Sequence, residues 1–520
     1  MKKGILIILV VVFAISIFPQ KLKEYETKSL FIFPIQYKSR MSRNIINPRR
    51  KNFVKEQMFK MFVKDFQRID FFEVNKKDSL TDFLSNAEKF IRDNARNIAA
   101  KRLDRDEKFK EAKVTLEDLI NTLYNSYAAV PIINKIEKKK NKDDEIYFNI
   151  FMEFEIYNVD TKEKVNTLKA NNKTSILGNI MSGLGSLQAS SEIMKNLTNT
   201  EKKEEAKFRS SITGLFEIIR TEMKKIKAFQ IKAVPTVISS NKFGFDLGRE
   251  NGIKIDHRYK SYVYKSDGSM KMTAFGKIRN VEKNYSEAEI LIGDIDEGDQ
   301  IMEDPKLGLN FIFHYGMTRI KYNHKLSPDY IAGLTTPEEI TVIDELVPTL
   351  GLGLEYDTGP ISKIPELYLT LNGRLIAIKD SYNTEYSEGQ VKISPDFTTM
   401  MADLGILKKI YMGRFSINMG AGLGIFTVTT NDFYIEMSDF TFDDVTVKGT
   451  GYGFTGKLGT EFLLTPEISM YGNLLIDLYS NPTKWTIENY SGETISGFDS
   501  DILDINSQGI SFNAGVSFTF

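Results

Sequence analysis

From residue 307 to the end of the chain, apolar and polar residues alternate in segment after segment, the pattern of strands with one apolar and one polar face. In the last segment, 509–520, Ile510, Phe512, Ala514, Val516, Phe518 and Phe520 alternate with Ser511, Asn513, Gly515, Ser517 and Thr519. The same period predicts strands over 307–320, 345–357, 366–378, 398–410, 414–428, 451–464 and 468–479. Connections between them alternate in length. Long ones cover 321–344, 379–397, 429–450 and 480–508; short ones cover 358–365, 411–413 and 465–467. Eight strands with short turns at one end and long loops at the other predict an antiparallel β-barrel over 305–520 with an apolar exterior. Strand character at 433–447 leaves room for one more pair.

The pattern before residue 305 is different. An apolar strand is predicted over 29–36. A helix follows over 50–66, with Phe53, Met58, Phe59, Phe62 and Phe66 on its apolar face, and then a short strand, Phe71-Phe72-Glu73-Val74. Helices are expected at 80–103, 115–125, 184–197 and 203–227. Strands are expected at 127–138, at 145–158 and from Lys164, with a turn between Asn158 and Lys164. This is an α/β unit over 21–228. From 229 to 304 the pattern is all β, with sharp turns at Gly248, Gly252 and Gly298 and strands reaching Tyr264 and over 275–282 and 286–292. The fold class is therefore multidomain: an α/β domain, a small β domain, and a C-terminal antiparallel barrel.

Charge separates the same halves. The chain carries no net charge, but 307–520 holds 13 basic and 26 acidic residues and the remainder 56 and 43. Met1-Lys2-Lys3 and the apolar run to Phe18 predict a secretory signal over 1–20. The absence of cysteine removes disulfides and lipidation at a mature N-terminal cysteine. No other stretch approaches the ~20 apolar residues of a membrane helix.

The polar face of the predicted barrel carries Glu355, Arg374, Asp403, Lys457, Glu461 and Asp477. Eight strands enclose a space just wide enough for side chains, so these charges are expected to pair and fill the lumen. Chemistry has little else to stand on. His314 falls on the lumen register, His324 in the first long loop, and neither has a catalytic set nearby. The glycines of 178–185 lack the Lys-Ser/Thr of a phosphate loop. With no cysteine and three histidines, no metal, cofactor or enzymatic activity is expected. The basic runs at 135–140 and 202–203 read as solvated surface, with attraction to anionic envelope material such as peptidoglycan or the inner leaflet, by summed charge, as the functional alternative. Nucleic acid does not fit an exported chain.

Several of these segments resemble known families. Phe520 closing an alternating strand is similar to the C-terminal signature of bacterial outer-membrane barrels, with Phe518 in the same register. The order FIFPI, helix, FFEV, then a long strand ending NVDTKEKV resembles the α/β domain of curli-pore (CsgG-type) and TolB N-terminal proteins. Those families place glycine where this chain has Lys162. FDLGRENGIKIDHRYKSYVY and GKIRNVEKNYSEAEILIGDIDEGDQI resemble the C-terminal β domain of the flagellar-assembly protein FlgT. These resemblances imply an outer-membrane location with the first two domains in the periplasm, contact with membrane lipid and with envelope proteins, and rings of copies. They imply a scaffold or adaptor in surface assembly or secretion. The alternatives are a narrow porin and an adhesin acting through the long loops.

Overall fold

The computed structural model describes residues 28–65, 69–73, 79–86, 89, 126–140, 146–171, 199–264, 269–326, 338–379, 382–386, 389–437, 440–482, 485–488 and 503–520. The expectations at 1–20, 115–125, 178–185 and 184–197 lie outside the described residues.

The first sheet has the order β3-β1-β4-β5-β6. Its strands are β1 (Lys28–Ile32), β3 (Ile69–Glu73), β4 (Ser126–Lys140), β5 (Ile146–Asn158) and β6 (Lys164–Asn171), and β2 (Gln36–Tyr37) pairs with β4. β1 runs parallel to β3 and β4, whereas β4, β5 and β6 are antiparallel. The strand expected over 29–36 is thus two short ones, broken around Pro34, whose ring removes a ladder donor. Helix α1 covers Arg40–Ile45 and α2 covers Pro48–Asp65. Asn47 starts α2: its side chain accepts from the Arg50 N–H at 2.9 Å, and Pro48 follows at the first helical position, where no donor is needed. Helix α3 (Leu80–Ser85) ends at Asn86, and beyond it the helix expected over 80–103 lies, apart from residue 89, outside the described residues. Helix α4 (Asn199–Lys225) carries Phe208, Ile212, Leu215, Phe216, Ile219 and Met223 at helical spacing, and all are buried against the sheet. In the β5–β6 turn, Asn158 Oδ1 accepts from the N–H groups of Asp160 and Thr161. Lys162 then takes φ 60°, a left-handed conformation that glycine adopts more readily.

The second sheet, in the order β7-β13-β10-β11-β12-β9-β8, is built from β7 (Lys232–Ala233), β8 (Val237–Ser239), β9 (Lys242–Phe245), β10 (Arg258–Tyr264), β11 (Met270–Val281), β12 (Ser286–Gly293) and β13 (Gln300–Glu303). Phe243, Phe245, Tyr259, Ile278 and Ile290 form its core. Gly252 does take a left-handed φ of 79°. A buried 2.8 Å ion pair between Lys224 of α4 and Glu303 of β13 joins this sheet to the α/β unit.

The barrel closes with eight strands. They are β14 (Leu309–Leu326), β15 (Glu338–Asp357), β16 (Leu367–Lys379), β18 (Gly389–Met412), β19 (Phe415–Met437), β20 (Phe440–Leu463), β21 (Ile468–Tyr479) and β23 (Leu503–Thr519). All neighbours are antiparallel, and the ring is completed by β14 on β23 and β16 on β18. Two short strands, β17 (Tyr382–Tyr386) and β22 (Trp485–Glu488), attach beyond the ring. The long connections differ from expectation: strand pairing continues through most of 429–450, so the strand character at 433–447 extends β19 and β20 and adds no further pair. His324 likewise lies on β14, still paired with β15, and not in a loop. Once a ladder has formed, each further residue pair adds hydrogen bonds without new loop closure, and this carries strands past the end of the apolar alternation.

Alternation sorts the barrel's faces as anticipated. Leu423 is 72% exposed on the outside while Ser416 and Asn418 of the same strand are buried. The barrel's two chain ends and its three short turns share one end, and the second sheet sits against it through Phe275, Leu291 and Ile292, packed on Tyr411 and Leu463.

Candidate functional site

Two adjoining charge clusters distinguish this barrel: one in the lumen and one where the second sheet meets the short turns. In the lumen, Arg374 of β16 reaches across the ring to Asp477 of β21. Its two terminal nitrogens donate to the two carboxylate oxygens at 2.7 Å each. Thr455 and Ser511 also donate to Asp477, and Asn372 donates to Asp403 at 2.9 Å. Such a fork-to-fork pair needs both partners held rigidly, which opposite strands of a closed ring provide.

Nearer the capped end, Lys409 bridges Glu355 at 2.8 Å and Glu461 at 2.6 Å, with all three side chains almost fully buried. Lys457 approaches Glu355 at 4.0 Å. The six charges selected from the sequence therefore divide into two groups, and the one that joins Glu355 to Glu461 is Lys409, which the sequence reading passed over. Its signal was available. Lys409 lies six residues from Asp403, an even separation that puts both on the lumen face. Beside Lys408 at a strand end it reads as a solvated pair, yet Lys408 is on the opposite face.

His314 also faces the lumen, against Gly351 on the neighbouring strand, where a Cβ would collide with its ring. A cavity of about 30 Å³, lined by His314, Asn372, Arg374, Asp403, Lys457 and Tyr471 among others, is the space left between these groups. That suffices for a water or two, and no more. His314 Nδ1, which has no hydrogen-bond partner among the described residues, borders it. Among the described residues, side chains fill this stretch of the lumen.

The second cluster caps the short-turn end. Glu366, in the turn between β15 and β16, is buried and accepts from Lys277 at 2.9 Å and from Arg279 at 2.7 Å, both on β11. Tyr368 donates to the same carboxylate. Asp256, just before β10, accepts from Arg279 and from the Glu366 backbone N–H, each at 2.6 Å. On the far side of the rim Arg258 donates to the Pro466 carbonyl at 2.6 Å, and Lys260 to Glu467 at 2.6 Å. Burial disfavours the charged form of Glu366, but Lys277 and Arg279 outweigh it and hold its carboxyl well below the usual range. Burial, with the Glu366 charge beside it, pushes Asp256 in the opposite direction.

The two clusters are continuous. Lys409 lies 4.7 Å from the Tyr368 ring, whose hydroxyl serves Glu366. At the seam, Phe520 packs edge-on to Phe311 at 5.2 Å and Phe518 to Phe313 at 6.2 Å, and Phe520 exchanges backbone hydrogen bonds with Leu307 and Leu309. The C-terminal signature residues thus fasten the last strand to the first. No group of acidic or histidine side chains with metal-binding geometry occurs among the described residues.

No family model matches the chain, so the likeness of its first two units to curli-pore and FlgT domains stands on the sequence segments alone. No curated protein matches either. Among solved structures, the Neisserial surface protein A is similar at 9% identity, covering 41% of this chain and 97% of its own, with a TM-score of 0.22. The outer membrane protein OprG of Pseudomonas aeruginosa is similar at 14%, covering 41% and 97%, with a TM-score of 0.27. A major outer membrane protein of Thermus thermophilus is also similar at 14%, covering 41% and 99%, with a TM-score of 0.27.

Proposed function

We propose that this chain is an outer-membrane anchor whose closed barrel holds a rigidly mounted platform in the periplasm, the platform acting as a scaffold or adaptor for envelope proteins. The apolar exterior supports the membrane location. Large side chains such as Leu350, Leu423, Met470 and Ile510 lie more than half exposed around the ring, which in water would be a large aggregating surface.

One observation carries the anchor reading. The lumen is filled by buried ion pairs, and its short-turn end is covered by the second sheet through Glu366. A porin needs a water-filled path, and the ion pairs across the lumen, with a cavity of about 30 Å³ beside them, leave little room for one among the described residues. The same clamp, continued by Lys224–Glu303, would hold the α/β unit at a fixed attitude to the membrane. A platform that presents a surface to partners gains from that, because less freedom is lost on binding. The partners follow from the curli-pore and FlgT resemblances: envelope proteins of surface assembly or secretion, including further copies of this chain.

The test is reconstitution of the full chain in planar bilayers together with crosslinking in intact envelopes. We expect no steady ion current, and crosslinks that disappear when 28–228 is deleted while the barrel still inserts. A steady single-channel current in the wild-type protein would refute the anchor reading.

A second reading has its own support. β18, β19 and β20 run 24, 23 and 24 residues, about twice the ~9–11 that cross a bilayer, and the excess is at the end away from the second sheet. Ribbons projecting there would suit contact with surfaces outside the cell.

A further inference from the structure

We infer that the turn between β15 and β16 is a lipid-contacting foot, with Ile361 and Ile364 entering the acyl edge of the periplasmic phospholipid leaflet beside the barrel, and Lys363 and Arg414 facing lipid phosphates. The inference rests on the membrane reading above.

The turn is two-sided. One side is docked: Gly359 and Glu366 are buried, with Asp256 against both. The other side is open, with Ile361 60% and Ile364 49% exposed. Helix α5 (Gly359–Ser362) is closed by Lys363 at φ 62°, whose N–H donates to the Gly359 carbonyl at 2.9 Å. The backbone therefore fixes which way the open side is presented.

Lys408 locates the turn on the outer wall. It belongs to the outward register of β18, with Ile406 and Ile410, and its ammonium donates to the Pro365 carbonyl. A lysine on the apolar wall that reaches along it to the rim snorkels, and its target lies over that wall. Ile361 and Ile364 thus stand on the outer side of the rim, as do the exposed apolar side chains Ile410 and Met412 of β18.

Charge supports the same occupant. Of the charged side chains in the three short turns, Glu366 is buried and Glu467 is paired with Lys260, which leaves Lys363 and Arg414 exposed, the latter with one guanidinium N–H directed at the Leu464 carbonyl. Apolar residues flanked by cations fit a phosphate-bearing interface. Two isoleucines make too small a patch for a protein partner, which calls for ~1,000 Å² of well-packed contact.

The experiment uses the full chain in phosphatidylethanolamine–phosphatidylglycerol vesicles. Trp485, the single tryptophan, is replaced by Phe, and Ile361→Trp or Leu423→Trp is introduced. Ile361→Trp is expected to lose fluorescence to lipids brominated near the headgroup and little to lipids brominated near the chain end. Leu423→Trp should lose it to the deep label. Adding Lys363→Glu with Arg414→Glu should reduce the shallow quenching of Ile361→Trp. If Leu423→Trp is quenched and Ile361→Trp is not, the foot is refuted while the membrane reading stands. Unchanged shallow quenching in the charge-reversed variant overturns the phosphate contact. If neither tryptophan is quenched, the membrane reading fails and the foot with it. Should Ile361→Trp not fold, Ile364→Trp carries the same expectation.

Discussion

Arg279 on β11 and Glu366 in the β15–β16 turn meet at 2.7 Å across 87 residues of sequence, and through them the second sheet is fastened to the barrel rim. Each has further partners: Arg279 also holds Asp256 and Glu289, and Glu366 also holds Lys277. The contact is therefore a node, and a node fails as a unit.

Glu366→Ala leaves Lys277 and Arg279 without their shared carboxylate in a buried interface. Removing one member of such a set typically costs ~3–5 kcal/mol. The expected outcome is a lower unfolding temperature for the second sheet, together with new protease cleavage between it and the barrel. An unchanged cleavage pattern would rule out the clamp.

The clamp should also loosen in acid. Glu366 titrates lower in the folded state than in the unfolded chain, so its stabilising contribution is complete above about pH 5 and is lost progressively as pH falls below that. Protease susceptibility at the same junction, followed from pH 7 downward, should rise in the wild type. The rise should be smaller in Glu366→Gln, which lacks this carboxyl, while Asp256, shifted the other way, titrates in both.

In the lumen, Arg374→Ala strands the buried Asp477 carboxylate. A loss of ~3–5 kcal/mol of barrel stability is expected, read as a lower temperature of gel-mobility change on heating. No large conductance should appear in bilayers, because the Lys409 bridge remains.

Lys409→Met should be at least as damaging, since it leaves Glu355 and Glu461 facing each other with Lys457, 4.0 Å from Glu355, as the remaining counter-charge. The double change Lys409→Met with Glu461→Gln should recover part of the loss. Strict additivity of the two substitutions would show that they do not interact.

Topology can be read with single cysteines, because the chain has none of its own. Ser480→Cys, at the far end of β21, should react with a membrane-impermeant thiol reagent on whole cells. Ser240→Cys, in the second sheet, should not. The reverse pattern would invert the orientation.

Local alternation alone was enough to specify the barrel. Side chains on a strand alternate strictly, so one environment on each face writes itself into residues such as Ile468, Met470 and Leu474 against Ser469, Asn473 and Asp477, and no long-range knowledge is needed to read it. The same local rule put all six lumen charges on the inner face. It could not say that Arg374 reaches Asp477, or that Lys409 joins Glu355 to Glu461, because which strands stand opposite across a ring depends on closure. Nor could it measure the long connections, where pairing continues without an apolar signal. The cap was the least legible part. Lys277, Arg279, Glu366 and Asp256 look like ordinary surface charges along the chain, and only the packing of one domain against another removes water from them and makes them partners.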